Sequence, residues 1–307
     1  MRIIFFGTPE FAETILRYAA RRHDIAVVVT MPDRPAGRGK KLTPPPVRTL
    51  AESLGVPVLQ PESRKTPEFA DKLRAFAADI NVTAAYGGIL PEAVLGSARL
   101  GSVNVHASLL PEYRGAAPIA RAVIDGRRDT GVTIMRMDTG LDTGDIILQR
   151  KLPIAPEDTC GSLTRKLAES GAGLLLEALA LIEDGTAAFT PQDGALATYA
   201  KKISPEEQLI DWNLTAESAA NLIRGLNPAP GAYTFYRGDK LRILFAEPLD
   251  GDFPGAPGEV IGPLIVKAVR GAVRAVTVQA AGGRPMSAGD YLRGHRVEIG
   301  EKLDIDV

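Results

Sequence analysis

The stretch "RIIFFGTPEFAETIL", residues 2–16, decides how the chain is read. An apolar run of strand length ends at Gly7, and Pro9 then suits the first turn of a helix, where its missing N–H goes unmissed. Phe11, Ile15 and Leu16 recur at the spacing of one helical face. A strand that is apolar at successive positions must be covered on both sides, which is the condition of a parallel sheet between helices. The same texture continues. "IAVVVT" (25–30), "VPVLQ" (56–60), "INVTAAYG" (80–87) and "SVNVHAS" (102–108) alternate with the helix candidates "VRTLAESLG" (47–55) and "PEFADKLRAFAA" (67–78). This is the pattern of an α/β domain with a mostly parallel sheet. "TGVTIMRMD" (130–138) and "GDIILQRKLPI" (144–154) read as a later antiparallel pair, and residues 159–185 as a long helix ending at Gly185.

From residue 186 the texture changes. Residues 190–206 are rich in turn formers and lack periodicity, so they read as a linker between a first domain over 1–189 and a second over 207–307. After one helix, "TAESAANLIRGL" (215–226), the second domain consists of short strands with frequent glycine, as in a small barrel.

At 307 residues, two domains are the natural expectation. The formal net charge of −1 advertises no global attraction to nucleic acid or membrane, so a polyanionic partner must be met by a local basic patch. The single Cys160 excludes an internal disulfide, and no run approaches the length of a spanning helix. The N-terminal stretch reads as a strand rather than a signal peptide, so the protein is expected to be cytoplasmic. The turn after the first strand lacks the glycines of a dinucleotide fingerprint, and "GRGKKLT" has the wrong spacing for a phosphate-binding loop. The three histidines are scattered without cysteines or paired carboxylates, which argues against zinc.

The positive signal lies at the end of "SVNVHAS". Asn104 and His106 alternate there and share a face near a strand's carboxyl end, where open α/β sheets gather functional groups. An amide donor beside an imidazole suits oxyanion stabilisation and proton movement at a carbonyl centre. The loop "MDTGLDTGDII" (137–147) carries three aspartates, one of which would orient His106 if folded beside it. By position alone His106 is equally a satisfied core histidine. A serine-hydrolase triad through Ser108 is disfavoured, because no nucleophile elbow precedes it and Ser108 follows His106 at the same-face spacing. A proline- and glycine-rich loop, residues 32–48, places Arg34, Arg38, Lys40, Lys41 and Arg48 against Asp33 alone, as a phosphate-contacting finger would. A second basic stretch, Lys267, Arg270, Arg274, Arg284, Arg293 and Arg296, is opposed in sequence only by Asp290.

"NVHASLLPEYRGAAPI" followed by "GVTIMRMDTGLDTGDII" resembles the methionyl-tRNA formyltransferases. The Asn-x-His, Ser-Leu-Leu-Pro and Asp elements are shared with glycinamide ribonucleotide transformylases and sugar N-formyltransferases. "IIFFGTPEFA", "PDRPAGRGKKLTPPPV", "AAYGGILP" and "IDWNLTAESAANLIRGLNPAPGAYT" resemble the tRNA enzymes in particular, so the resemblance covers nearly the whole chain. It implies a Rossmann-like formyltransferase domain with a mostly parallel sheet and a C-terminal OB-like β-barrel that binds tRNA. It also implies formyl transfer from 10-formyltetrahydrofolate to methionyl initiator tRNA by a monomer, without metal. By motif, Asn104, His106 and Asp142 fall on the catalytic trio. Ser108, Leu109, Leu110 and Pro111 fall on the folate-binding segment, Arg34, Arg38, Lys40 and Lys41 on the tRNA loop, and Phe11 on the methionyl pocket. Gly88, Ala229, Asn81 and Thr83 depart from the pattern, in a direction expected to loosen packing. The alternative is a sugar-nucleotide N-formyltransferase with the same trio, which the basic finger argues against. A non-enzymatic RNA-binding protein leaves the trio without a purpose.

Overall fold

A computed structural model describes residues 1–36 and 41–303. The first sheet is built from β1 (Arg2–Gly7), β2 (Asp24–Val29), β5 (Val58–Leu59), β6 (Ile80–Ala84), β7 (Ser102–His106), β9 (Asp129–Arg136) and β10 (Ile146–Pro153). Their order is β10-β9-β7-β6-β1-β2-β5. The five strands from β7 to β5 pair in parallel, while β9 and β10 are antiparallel at one edge. Short pairings add β3 (Arg34–Ala36) with β4 (Lys41–Thr43), and β8 (Arg114–Gly115) with β11 (Tyr199–Ala200).

Local chemistry accounts for the connections. Helix α1 (Glu10–Ala19) buries Phe11, Ala12, Ile15 and Leu16, the face expected from their spacing. Gly7 lets helix and strand approach closely, since a Cβ there would lie 2.6 Å from Ala12 Cβ. Helix α2 (Pro46–Ser53) starts on a proline, and α3 (Pro67–Arg74) starts after Thr66, whose side chain accepts from Phe69 N–H. Strand β5 is shorter than "VPVLQ", because Pro57 supplies only its carbonyl to Val28 at this sheet edge. The remaining helices are α4 (Glu92–Leu95), α5 (Pro118–Ile124), α6 (Cys160–Glu183), α7 (Ala216–Gly225) and α8 (Ala288–Gly294).

The C-terminal sheet is antiparallel, β12 (Ala232–Tyr236), β13 (Asp239–Leu249), β16 (Ala272–Ala280), β15 (Ile265–Lys267) and β14 (Val260–Gly262), with β17 (Met286–Ser287) on β16. Its core joins Trp212, Ala219, Ile223 and Leu226 to Leu241, Ile243, Val273 and Val278. The chain divides into two compact units. One comprises Met1–Pro118, Asp129–Pro153 and Thr164–Ala200; the other comprises Ile119–Arg128, Ile154–Leu163 and Lys201–Val307. The second unit thus takes two segments from the middle of the sequence. Among the described residues no helix is long and apolar enough to cross a membrane.

Two of the departures, Asn81 and Gly88, have local explanations. Asn81 is tied inside β6, its amide donating to Val94 O, Ser97 Oγ and Ser102 Oγ at 3.0–3.1 Å. The space that a side chain at Gly88 would need is taken by Arg64, whose Nη1 would lie 2.2 Å from a Cβ and whose guanidinium sits over the Tyr86 ring.

Candidate active site

Strand β7 sets Asn104 and His106 on one face at its carboxyl end, 8% and 5% exposed. Asn104 lies between Thr83 of β6 and Met135 of β9, and His106 faces Thr133 of β9. The nearest polar contact of the imidazole is Nε2 to Tyr113 O at 2.9 Å. A carbonyl only accepts, so in the neutral ring the proton is on Nε2. Nδ1 then faces Asp142 Oδ2 at 3.7 Å, and Asn104 Nδ2 donates to Asp142 Oδ1 at 3.5 Å.

Of the three aspartates in the loop, Asp142 reaches this cluster. Asp138 closes the loop's own turn, accepting from Gly140 N–H at 2.9 Å and from the Thr143 hydroxyl at 2.7 Å. Asp145 accepts through its carbonyl from Arg136 N–H at 2.8 Å. Gly115 N–H donates to Asp142 Oδ2 at 2.8 Å. Asp142 and Tyr113 hold φ of 54° and 59°, the left-handed region that non-glycine residues occupy only when their surroundings over-determine it. Gly144 is required for a different reason: a Cβ there would lie 1.9 Å from Arg136 O.

The segment after β7 is fixed from β9 and β10. Thr133 donates its hydroxyl to Ser108 O at 2.7 Å and accepts from Leu110 N–H at 3.1 Å, and Gln149 donates to Leu110 O at 2.8 Å. The Ser108 hydroxyl donates to Glu112 O at 2.7 Å, so it is engaged within its own turn rather than with His106. Ser108 and Leu110 are buried, while Leu109 and Pro111 are half-buried. Leu109 rests where Gly131 has no side chain, its Cδ2 only 2.5 Å from a Cβ built there. Phe11 lies on the buried face of α1.

Two polar residues around this cluster escaped sequence reasoning in different ways. Arg114 belongs to the quoted motif but carries no alternation or spacing that marks it. Arg114 is 6% exposed, and its guanidinium donates to Gln192 Oε1 at 3.1 and 2.7 Å. Gln192 fell in the stretch read as linker, and its amide donates to Asp142 O at 2.9 Å and Gly144 O at 2.7 Å. Only the three-dimensional return of the chain to β8 reveals it.

The basic features are thinner than the sequence suggested. Arg34 and Lys41 are exposed at opposite ends of the β3–β4 pairing, while Arg38 and Lys40 lie outside the described residues. Arg48 is no free cation: it is paired with Asp33 at 2.8 Å and Glu52 at 2.7 Å, and the Gln60 amide, with Arg48 adding to it, holds the Asp33 carboxyl below its ordinary range. In the C-terminal stretch Lys267 is buried and donates to Ala268 O at 2.7 Å. Arg274, Arg293 and Arg296 meet Glu247, Asp290 and Glu298. Arg270 and Arg284 remain exposed there. The pairings with Glu247 and Glu298 were invisible because those acids lie outside the stretch; Asp290 is the one acid within it.

Residues 1–179 match the formyl transferase family model, and residues 202–296 match the model of the formyl transferase C-terminal domain. The fold and the Asn104–His106–Asp142 cluster therefore sit in a formyl transferase. Among curated relatives, the methionyl-tRNA formyltransferase of Moorella thermoacetica is 48% identical over 308 residues, covering 99% of each chain. That of Syntrophus aciditrophicus is 48% identical, covering 98% of each. The chain belongs to the methionyl-tRNA formyltransferase family. Solved structures of lower identity share the fold. WlaRD, a sugar 3N-formyl transferase, superposes with a TM-score of 0.65 at 18% identity, over 91% of this chain and 97% of that one. HypX from Aquifex aeolicus in complex with tetrahydrofolic acid gives 0.67 at 19% identity, over 98% of this chain and 50% of that one.

Proposed function

We propose that the chain carries a formyl group from 10-formyltetrahydrofolate to the α-amine of methionyl initiator tRNA, working as a cytoplasmic monomer. The observation that carries the chemistry is the convergence of Asn104, His106 and Asp142 at the end of β7. The amine nitrogen attacks the formyl carbon, the carbonyl electron pair moves onto oxygen, and Asn104 Nδ2 donates to that oxyanion, joined by the His106 Nε2–H as it turns from Tyr113 O. Collapse re-forms the carbonyl and breaks the bond to the folate nitrogen. His106 takes the amine proton and returns it to the departing nitrogen. A proton accepted at Nδ1 lands beside the Asp142 carboxylate, the role that motif assigns to Asp142. No covalent enzyme intermediate is needed.

In this reading the turn carrying Ser108, Leu109, Leu110 and Pro111 receives the folate. Because the Ser108 hydroxyl is engaged by Glu112 O, the turn offers shape and backbone rather than that hydroxyl. Arg34 and Lys41, with Arg38 and Lys40, approach the acceptor-end phosphates, and Phe11 borders the methionyl group. The test is a formylation assay with 10-formyltetrahydrofolate and either methionyl initiator tRNA or an amino-sugar nucleotide as acceptor. Formyl-methionyl-tRNA as the sole product is expected. Turnover confined to the sugar nucleotide would overturn the reading.

A further inference from the structure

We propose that Gln192 is a positioning residue: its amide couples the buried Arg114 guanidinium to the Asp142 loop and holds the Asp142 carboxylate against His106. The inference rests on the functional reading above. Arg114 carries its charge into the first unit with no carboxylate partner among the described residues, and its guanidinium donates twice to Gln192 Oε1. A guanidinium has no acceptor, so Oε1 must face Arg114 and Nε2 must face the loop; the amide orientation is determined rather than chosen. Both Nε2 protons are then used, one on Asp142 O and one on Gly144 O. The charge on Oε1 polarises the amide and strengthens those two donations.

The neighbouring bonds point the same way. Tyr113, Arg114 and Gly115 are consecutive, and they contact His106 Nε2, Gln192 Oε1 and Asp142 Oδ2 in turn. The chain carrying Gln192 is held to them, since Thr198 Oγ1 accepts from Tyr113 N–H at 2.8 Å, Thr198 O accepts from Arg114 N–H at 2.8 Å, and β11 pairs with β8. An aspartate at a φ of 54° needs such outside support. With the side chain of 192 removed, Gly115 N–H and Asn104 Nδ2 still meet the Asp142 carboxylate, but the Asp142 and Gly144 carbonyls lose their tether and the loop is freer to turn about that carboxylate.

Two variants separate the parts. Gln192→Ala removes the coupling. Gln192→Glu keeps an acceptor for Arg114 but has no donor for the two carbonyls, so it isolates the loop tether and guards against a folding defect in the first. In both, kcat for formylation is expected to fall about 10- to 100-fold with KM for either substrate changed by less than about threefold. Nitrogen-15 resonances of the His106 ring should move while those of His23 and His295 stay. Wild-type kcat in both variants, a rise in KM alone, or an unmoved His106 overturns the inference. If the wild-type protein itself fails to formylate, the functional reading falls. The resonances then decide alone: a change confined to His106 supports the tether, and none overturns it.

Discussion

The carbonyl of Tyr113 and the carboxylate of Asp142 approach opposite nitrogens of one ring, and Asn104 touches the same carboxylate from the other side. Each side chain in that row does a separable job, so substitutions should separate as well. His106→Ala removes the Nε2 donor and the Nδ1 proton acceptor together, and Asn104→Ala removes one oxyanion donor. Turnover should fall about 10²–10³-fold in each, with methionyl-tRNA binding nearly unchanged, as measured by single-turnover formylation beside filter binding. Asn104→Asp should be worse than Asn104→Ala. It replaces a donor by a second carboxylate within about 3.5 Å of Asp142, where like charges in a half-buried site repel. An Asp variant more active than the Ala variant would remove Asn104 from the donor role. That Asn104 and His106 share a face was legible in the sequence, because side chains alternate along a strand. Which of three aspartates joins them was legible only by motif, since loop geometry is set by contacts remote in sequence.

At the scale of elements, the alternation of apolar strands and amphipathic helices anticipated the sheet, including the antiparallel edge formed by β9 and β10. What periodicity could not reach is the support given by that edge to the turn after β7. Gly131 in β9 leaves the hollow that Leu109 occupies, and its Cβ position is also 2.3 Å from Arg150 O across the pairing. Gly131→Ala therefore cannot be absorbed by the Leu109 side chain alone, because one of the two obstacles is backbone. We expect the variant to lose about 1–3 kcal/mol of stability and to raise KM for the formyl donor more than for methionyl-tRNA, which calorimetry and steady-state kinetics will show. The basic finger makes a prediction of the opposite kind. Arg34 and Lys41 are exposed and without an acid partner among the described residues, so their loss should not destabilise the fold. Arg34→Ala or Lys41→Ala should weaken methionyl-tRNA use and lower the slope of log affinity against log salt by about 0.7–0.9 for each phosphate no longer neutralised. An unchanged slope would detach the residue from the phosphates. Arg48, which the sequence grouped with them, should leave that slope untouched because Asp33 and Glu52 already neutralise it.

Over the whole molecule a near-neutral formal charge conceals carboxylates that are strongly committed within one unit. Glu207 is held down to about 2 by hydrogen bonds from Arg121, with Ser204 N–H adding to it; Arg121 Nη2 reaches Oε2 at 2.9 Å and Nη1 donates to Oε1 in a two-pronged pair. Glu301 is also held at about 2, first by the Tyr236 hydroxyl, which donates to it at 2.6 Å and is itself pushed up to about 12. A folded-state value below the ordinary one near 4.5 means that the stabilisation is present above that value and is lost as pH falls towards 2. Both acids lie in the unit that contains Trp212, the one tryptophan of the chain, which is buried and donates to Thr234 Oγ1 at 3.2 Å. Tryptophan fluorescence therefore reports this unit without interference from the first. For the wild-type protein the thermal midpoint followed by Trp212 should drop steeply between about pH 4.5 and pH 2. Glu207→Gln should lower the midpoint at neutral pH, by about 1 kcal/mol once solvent screening of a partly exposed pair is allowed for, or about 3–6 °C. Because the variant has already lost the group that titrates, its midpoint should fall less over the acid range, and the two curves should converge as pH approaches 2. Curves that run parallel across that range would show that the Arg121 pairing does not govern the acid limb. Glu301→Gln, which removes the other carboxylate held at about 2, would then be expected to flatten it instead.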